Sequence, residues 1–197
     1  AISYSVELQS KNIQEKLNNL SEVEKISTKV NKDVLPVPYN YLLTQPLMTK
    51  GIENYYQRRP FIQIIHATKN HHNNTYSRAI VMLIDSNKAR NNVRLAQRKK
   101  EATVVELAFI TINFKELPTK IIKDVVNTKV PFGQLLSKNN LKISTKDRTY
   151  FWIICDQVLA SFTDCHLNSK LYGRRNTIIK ASNNKWLAHV VEILKGH

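Results

Sequence analysis

Two adjacent arginines and a later glutamate are the residues whose types and spacing most directly suggest chemistry. The segment 171–176, with the sequence LYGRRN, contains Arg174 and Arg175, and we expect a tight turn to deliver both into a strand. The following strand, predicted over residues 186–194, is almost wholly apolar but contains Glu192. A carboxylate among apolar neighbours must face solvent or lie in a pocket with a partner. The arginines are candidates for that partner, or for binding an anionic substrate beside it.

The alternation of side chains along a strand restricts which of these groups can meet. Arg174 and Arg175 are neighbours and point to opposite faces of a regular strand, so at most one of them reaches a pocket directly. His189 and Glu192 are three residues apart and therefore also point to opposite faces. Taken alone, Glu192 could equally be an exposed residue of an edge strand.

The hydrophobic periodicity along the chain predicts a mixture of helices and strands. Helices are predicted over residues 1–33, over 47–57, from 117 and from 131. Strands are predicted over residues 61–67, 76–85, 103–113, 148–155, 177–180 and 186–194. The basic stretch 90–100 is ambiguous between a polar strand and a loop, and residues 156–168 receive no assignment. This order predicts an α+β fold, with a single antiparallel β-sheet and helices packed on one face.

The length and the charge of the chain limit the classes of protein to consider. The 197 residues fit an N-terminal helical arm, residues 1–38, followed by one domain, residues 39–197. The 30 Lys and Arg residues against 15 Asp and Glu residues give a net charge of +15, which suits an acidic protein surface, a nucleic acid or an anionic substrate. Equally, abundant Lys, Asn and Ile are typical of proteins from AT-rich genomes. The stretch 90–100 lacks the aromatic residues that stack on single-stranded bases, which argues against a nucleic-acid partner.

The cysteines and the apolar runs favour a protein without a disulfide framework, a metal centre or a membrane span. Cys155 and Cys165 are too few for a disulfide framework, and we interpret Cys155 as a small core residue in a reducing compartment. Their spacing to each other and to His166 matches no common zinc site. No apolar run approaches the roughly 18 residues that a membrane-spanning helix needs.

Four separated segments resemble, in the same order along the chain, the chorismate lyase family. They are MTKGIE at 48–53, YSRAIVML at 76–83, PFGQLL at 131–136 and LYGRRN at 171–176, with Glu192 at the position of the family's C-terminal glutamate. The resemblance extends from about residue 40 to the end of the chain. It is nearest to the chorismate lyase-like proteins that algal plastids encode.

This resemblance implies a reaction and a role for each matching residue. Enzymes of the family eliminate pyruvate from chorismate to give 4-hydroxybenzoate, without a metal or an organic cofactor. Arg78 would bind a substrate carboxylate through two donors of its guanidinium group, which a lysine cannot reproduce. Glu192 would contact the ring hydroxyl and assist the proton shift, and a buried glutamate tends towards a raised pKa, which suits that role. The substrate pocket would be completed by Met48, Thr49, Phe132, Gly133 and Arg175.

Two alternatives stay open at the level of the sequence. Arg78 could pair with a neighbouring carboxylate such as Glu106 and serve only the fold. The whole protein could be a non-catalytic, basic linker subunit of a larger organellar, photosynthetic assembly, in which the surplus positive charge meets acidic proteins. In either case the resemblance predicts a location in the plastid (chloroplast), or in another reducing soluble compartment.

Overall fold

A single antiparallel sheet of seven strands is the frame of the protein. The computed structural model describes residues 23–195. The strands are β1 (Thr28–Val30), β2 (Phe61–Asn70), β3 (Thr75–Asp85), β4 (Ala102–Asn113), β5 (Ile143–Ile154), β6 (Lys170–Lys180) and β7 (Trp186–Leu194). Across the sheet their order is β1-β5-β6-β7-β4-β3-β2, so the last strand of the chain lies in the middle.

Short helices connect the strands. The α-helices are α1 (Val23–Ile26), α2 (Tyr39–Leu42), α3 (Met48–Tyr56), α4 (Val93–Arg98), α5 (Thr119–Asn127), α6 (Phe132–Lys138) and α7 (Gln157–Thr163). Single turns of 3-10 helix occur at Lys32–Val34 and Phe114–Glu116. Helices this short are not stable alone, so packing against the sheet must stabilise them. Within residues 23–195, no helix is long and apolar enough to cross a membrane.

Side-chain alternation along β3 separates two hydrophobic cores, one on each face of the sheet. Ile80 and Met82 point to the face that α2 and α3 cover, where Ile52 of α3 belongs to the same core. The helix α6 covers the neighbouring part of this face. Val81 points to the other face, which Leu159 of α7 covers. The predicted α+β fold with a single antiparallel sheet is therefore confirmed, and α7 is an additional helix on the second face.

The elements that border the central strands agree with the sequence. The helix predicted over residues 47–57, directly after Pro46, is α3, which runs from Met48 to Tyr56. The strand predicted over residues 186–194 is β7, with the same first and last residues. Both predictions rest on strong local signals, since a proline suits the start of a helix and a run of apolar residues suits a central strand.

Three helices were not predicted, α2, α4 and α7, and side-chain caps explain the last two. The stretch 90–100 contains α4, in which the Asn92 side chain accepts a hydrogen bond from the backbone N–H of Leu95. The unassigned residues 156–168 contain α7, in which the Asp156 side chain accepts from the backbone N–H of Leu159. Asn and Asp are favoured at this position because they satisfy a backbone donor that the first turn leaves without a partner.

The expected tight turn before the two arginines is wrong, because β6 runs without interruption from Lys170 to Lys180. Gly173 serves close packing in this strand. A Cβ atom there would lie 2.5 Å from the backbone oxygen of Glu192 and 2.5 Å from the ring of Phe151. A side chain at this position would therefore push β6 away from β7 and from the Phe151 ring.

The helical prediction for residues 1–33 agrees with the structure at Val23–Ile26 and is wrong at β1. Val23–Ile26 forms one helical turn, but β1 is an extended strand that pairs with β5, with Lys29 opposite Phe151. Residues 1–22 lie outside the described part of the chain. The boundary at residue 38 between an arm and a domain stays a prediction, although β1 precedes it and belongs to the sheet.

Cys155 and Cys165 form a disulfide bond, which the sequence did not predict. Cys155 is fully buried, as expected for a small core residue. The sequence separation of 10 residues contains α7, which folds back onto the sheet and returns the chain to the end of β5. Because α7 was not predicted, the spacing of the cysteines gave no sign of this contact.

Candidate functional site

A cavity lies between the sheet and the start of α3, on the face that α2, α3 and α6 cover. Its empty space, including the part that is open to solvent, is about 560 Å³. Side chains of β3, β4, β6 and β7 form its floor, and residues 46–49 and 131–133 form its roof. Its polar side chains are those of Thr49, Arg78, Glu106, Arg174, Asn176 and Glu192.

The strand register explains why these groups share one floor. Because neighbouring strands pair residue by residue, their side chains lie in rows across the sheet. The rows are Arg78, Ile110, Val190 and Asn176; then Ile80, Ala108, Glu192 and Arg174; then Met82, Glu106 and Leu194. Neighbouring strands lie about 4.8 Å apart, so the backbones of Arg78 and Asn176 are separated by roughly 14 Å of apolar floor. A flat ring can lie on this floor with polar groups on two sides.

Arg78 is a buried cation without a carboxylate partner among residues 23–195. The residue is 3% exposed, its Nη1 donates a long hydrogen bond of 3.4 Å to the backbone oxygen of Val125, and its Nε has no partner. Burial lowers the pKa of Arg78, and the phenol of Tyr76 opposes this shift. Because the pKa of an arginine lies far above neutral to begin with, the group stays charged at neutral pH. The alternative pairing with Glu106 does not occur, since the residue opposite Arg78 on β4 is Ile110.

Arg174 connects the floor of the cavity to its roof. Its Nε donates to Oε1 of Glu192 at 3.2 Å, across the pair of strands β6 and β7. Its Nη1 donates to the backbone oxygen of Leu43 at 3.0 Å and to that of Gln45. The residue is 1% exposed, so this cluster is shielded from solvent and each contact is stronger than it would be in water.

Glu106 is the second acid on the floor. It is 2% exposed, and its carboxyl group contacts that of Glu192. Burial, and then the negative charge of Glu192, raise the pKa of Glu106 well above its usual 4.5, while Arg174 opposes the shift. No donor among the described residues reaches Oε2 of Glu106. These acids do not form a metal site, since no group of three or more suitable ligands occurs in residues 23–195.

The roof is fixed by a second arginine. Arg148 of β5 donates to the backbone oxygens of Thr44, at 3.3 Å, and of Pro46, at 3.4 Å. Burial lowers the pKa of Arg148, and the positive charge of Arg174 adds to this effect. Together the two arginines bind the chain directly before α3. They thereby hold Met48, and with it the backbone N–H groups of the first turn of α3, against the cavity.

Six of the seven site residues predicted from the sequence line this cavity. They are Arg78, Glu192, Met48, Thr49, Phe132 and Gly133. The structure brings them together because the segments of α3 and α6 pack over β3 and β7. The roles that the resemblance implies for them stay predictions.

Arg175, which was predicted to bind the substrate, does not line this cavity, whereas Arg174 does. Arg175 is exposed and pairs with Val191, on the face opposite the cavity, whereas Arg174 pairs with Glu192. The alternation of the two arginines was predicted, but the pairing of β6 with β7 decides which one faces the glutamate. His189 likewise lies on the far face, where its ring contacts the hydroxyl of Thr177 at 2.9 Å.

The sequence did not indicate Glu106 or Asn176 as site residues. Glu106 was considered only as a partner of Arg78, and Asn176 only as the end of a motif. Asn176 is 3% exposed, and its Oδ1 has no partner within the described part of the chain. A polar residue inside an apolar strand is the one local signal available, and the strand order is needed to show that these two residues share a cavity with Arg78.

Comparisons with known proteins show the fold. No protein-family model and no curated protein matches the sequence. The crystal structure of PhnF from Mycobacterium smegmatis is similar, with a TM-score of 0.54 and 6% identity; the match covers 78% of this chain and 65% of that one. This chain thus spans less than two thirds of PhnF. The effector domain of PhnF alone has a TM-score of 0.53 and 6% identity. The match covers 77% of this chain and 89% of that domain.

Two further structures extend the comparison. A gene product of Staphylococcus aureus subsp. aureus N315 has a TM-score of 0.52 and 11% identity, over 77% of this chain and 89% of that one. A transcriptional regulator of the GntR family from Enterococcus faecalis V583 has a TM-score of 0.42 and 9% identity, and the match covers 68% of this chain and 93% of that one. This likeness is too distant to carry an argument. At these identities the likeness concerns the fold alone: the chain has the α+β, chorismate lyase-like fold that it shares with the effector domain of PhnF.

Proposed function

We propose that the cavity binds a small cyclic carboxylate and that Arg78 anchors the carboxylate group. The observation that supports this is the guanidinium group of Arg78, which is buried in the wall of a largely apolar cavity and has no carboxylate partner in residues 23–195. A buried cation without a counter-ion is unfavourable, and an anionic group of a ligand would remove that penalty. Convergence of a few polar groups on an apolar cavity is typical of small-molecule sites.

The resemblance to chorismate lyases supplies the proposed reaction, which is the elimination of pyruvate from chorismate to give 4-hydroxybenzoate. Arg78 would hold the ring carboxylate, and Glu192, two strands away in the next row, would contact the ring hydroxyl and assist the proton shift. Ile110 and Val190 would support the face of the ring. Since aromatisation drives the reaction, the protein has mainly to orient the ring and to manage one proton, and the scheme needs no cofactor.

A second candidate function is binding without turnover, as in a ligand-sensing domain. It is favoured by the state of Glu192, whose carboxylate is bound by Arg174 at 3.2 Å and thereby belongs to a cluster that also holds the backbone of Leu43. The likeness to an effector domain agrees with it. The role as a linker subunit of an organellar assembly and the location in a plastid stay predictions, based on the net charge of +15 and on the sequence resemblance.

Incubation of the purified protein with chorismate, with detection of 4-hydroxybenzoate and pyruvate, tests the reaction. We expect Arg78→Ala to lower pyruvate release by about 100-fold or more, because the truncation of a buried charged contact weakens it by several kcal/mol. The far-UV circular dichroism spectrum should stay that of the wild type. The matched control is Arg59→Ala, which removes an exposed arginine outside the cavity and should leave turnover unchanged.

Calorimetric titration of the same proteins with 4-hydroxybenzoate separates the two candidates. Binding that depends on Arg78, without release of pyruvate from chorismate, supports the ligand-sensing function. Turnover that depends on Arg78 supports the lyase. If the wild type neither binds 4-hydroxybenzoate nor converts chorismate, or if Arg78→Ala behaves as the wild type does, the proposal is wrong.

A further inference from the structure

Among residues 23–195, the acidic pair on the floor of the cavity has one cation within ion-pair distance for its two carboxyl groups. Glu106 is 2% exposed and Glu192 is 5% exposed. They are diagonal neighbours on paired strands, since Glu192 lies opposite Ala108 and Glu106 precedes Ala108 by two residues. The close cation is Arg174, whose Nε lies 3.2 Å from Oε1 of Glu192. One guanidinium group balances one carboxylate, so a second ionised carboxyl group here would be uncompensated.

A single proton on the pair removes this imbalance. Oε2 of Glu106 has no donor as a partner among residues 23–195, yet the carboxyl groups of Glu106 and Glu192 are in contact. Two ionised carboxylates cannot hydrogen-bond to each other, whereas a protonated carboxyl group donates to an ionised one. Burial and the neighbouring charge of Glu192 raise the pKa of Glu106, which makes it the member that keeps the proton.

We propose that Glu106 is a positioning residue of the site: it shares one proton with Glu192 and so fixes the Glu192 carboxylate in the orientation that accepts the ligand's hydroxyl group. The pair then has one negative charge, which Arg174 balances, and Arg78 stays available for the carboxylate of the ligand. The part of this inference that concerns the ligand rests on the proposed function. The part that concerns the proton does not.

The groups that face Glu106 determine how this arrangement responds to pH. The charged groups that act on Glu106 are Glu192 of β7 and Arg174 of β6. Arg78 of β3 lines the same cavity, and Arg148 of β5 acts on Arg174 and Glu192. Loss of the shared proton leaves two negative charges against Arg174 and removes the donor that orients Glu192. The affinity for a hydroxylated carboxylate should therefore fall as the pH rises through the pKa of the pair.

Infrared spectroscopy of the full chain without ligand tests the shared proton. At neutral pH the wild type should show the band of a protonated carboxyl group, and Glu106→Gln should lack it. Glu53→Gln, which alters an exposed glutamate of α3, is the control and should keep the band. Absence of the band from the wild type, or its persistence in Glu106→Gln, would overturn the inference.

The pH dependence of 4-hydroxybenzoate binding tests the positioning role. The affinity of the wild type should fall by up to about tenfold per pH unit above the pKa of the pair, as expected for one ionisation. Glu106→Gln keeps a neutral hydrogen-bonding group, so its affinity at neutral pH should lie within about threefold of the wild type, with a flatter alkaline limb. The phenol of the ligand titrates equally with both proteins and is cancelled by the comparison.

The two measurements separate the failure of this inference from the failure of the proposed function. If the ligand binds but the alkaline limbs of the two proteins coincide, Glu106 has no positioning role and the proposed function stands. If the wild type shows the infrared band, Glu106→Gln lacks it and no ligand binds, the shared proton is established and the proposed function is wrong.

Discussion

Asp85 and Glu106 are buried acids on neighbouring strands of one sheet. Hydrogen-bond donors surround the carboxylate of Asp85, whereas another acid lies beside that of Glu106. Asp85, at the end of β3, accepts hydrogen bonds from Nε and Nη2 of Arg90, at 2.7 and 2.9 Å. Two backbone N–H groups donate to it as well, at 2.9 and 3.0 Å. Glu106, in β4, contacts another acid, and no described donor reaches its Oε2.

The pKa values of the two acids move in opposite directions for this reason. The hydrogen bonds from Arg90 hold the pKa of Asp85 well below its usual 3.8, whereas burial raises the pKa of Glu106. Burial is therefore common to a structural acid and to a candidate site acid, and the number of donors distinguishes them. A fully satisfied ion pair serves the fold, and an unsatisfied buried acid in a cavity marks a candidate site.

The largest loss of stability is expected when the cation of the cavity cluster is removed by Arg174→Met. The change leaves Glu192 without its buried counter-ion and leaves the backbone oxygen of Leu43 without a donor, which should cost about 3–5 kcal/mol of the free energy of unfolding. Urea unfolding measures it. The adjacent, exposed Arg175→Met is the matched control and should change the free energy by less than about 0.5 kcal/mol. If both variants lose the same free energy of unfolding, the contacts of Arg174 do not stabilise the fold as expected.

A smaller loss is expected for Asp85→Asn, because its partner Arg90 reaches solvent and can be hydrated when the ion pair is lost. A lowered pKa means that Asp85 stabilises the fold above its unfolded value of 3.8, and that this contribution is lost as the pH falls through the lower folded value. The difference in urea midpoint between the wild type and the variant should therefore shrink in acid. A difference that stays constant would show that Asp85 has the same pKa in both states.

No loss is expected for Glu106→Gln. At neutral pH its free energy of unfolding should be at least that of the wild type. A raised pKa has the opposite sign: the folded wild type keeps a proton that the unfolded chain releases near 4.5, so its stability falls as the pH rises from there through the folded pKa. The variant has no such proton, and its advantage in urea midpoint should grow with pH. If the urea midpoint of the variant falls relative to that of the wild type as the pH rises, the shared proton is contradicted.

Sequence patterns predicted the elements whose signals are local. The apolar run of β7 and the proline before α3 gave those elements nearly to the residue, because both signals act within a few residues. The caps of α4 and α7 are local as well, at Asn92 and Asp156, but each stands in polar sequence where a helix and a loop look alike. Residues 28–30 were predicted to be helical but form a strand, because they pair with the edge of the sheet at β5.

In the candidate site, too, some residues could be predicted from the sequence and others only from the pairing of the strands. Glu192 was singled out by its place in an apolar strand, and Arg78 by the resemblance of its segment to the chorismate lyase family. The partners of Glu192 were not visible in this way. Arg174 and Glu106 meet it only because β6 and β4 lie on either side of β7, which is a matter of strand order.

The sequence by itself determined that two adjacent arginines point to opposite faces and that an acid lies in an apolar strand, because side-chain alternation is a property of any strand. Only the tertiary structure decided that Arg174, and not Arg175, binds Glu192, and that Glu106 lies in the same cavity, beside the ion pair of Arg174 and Glu192. The reason is that pairing between strands is set by the packing of both faces of the sheet at once. No single segment of the chain contains that information.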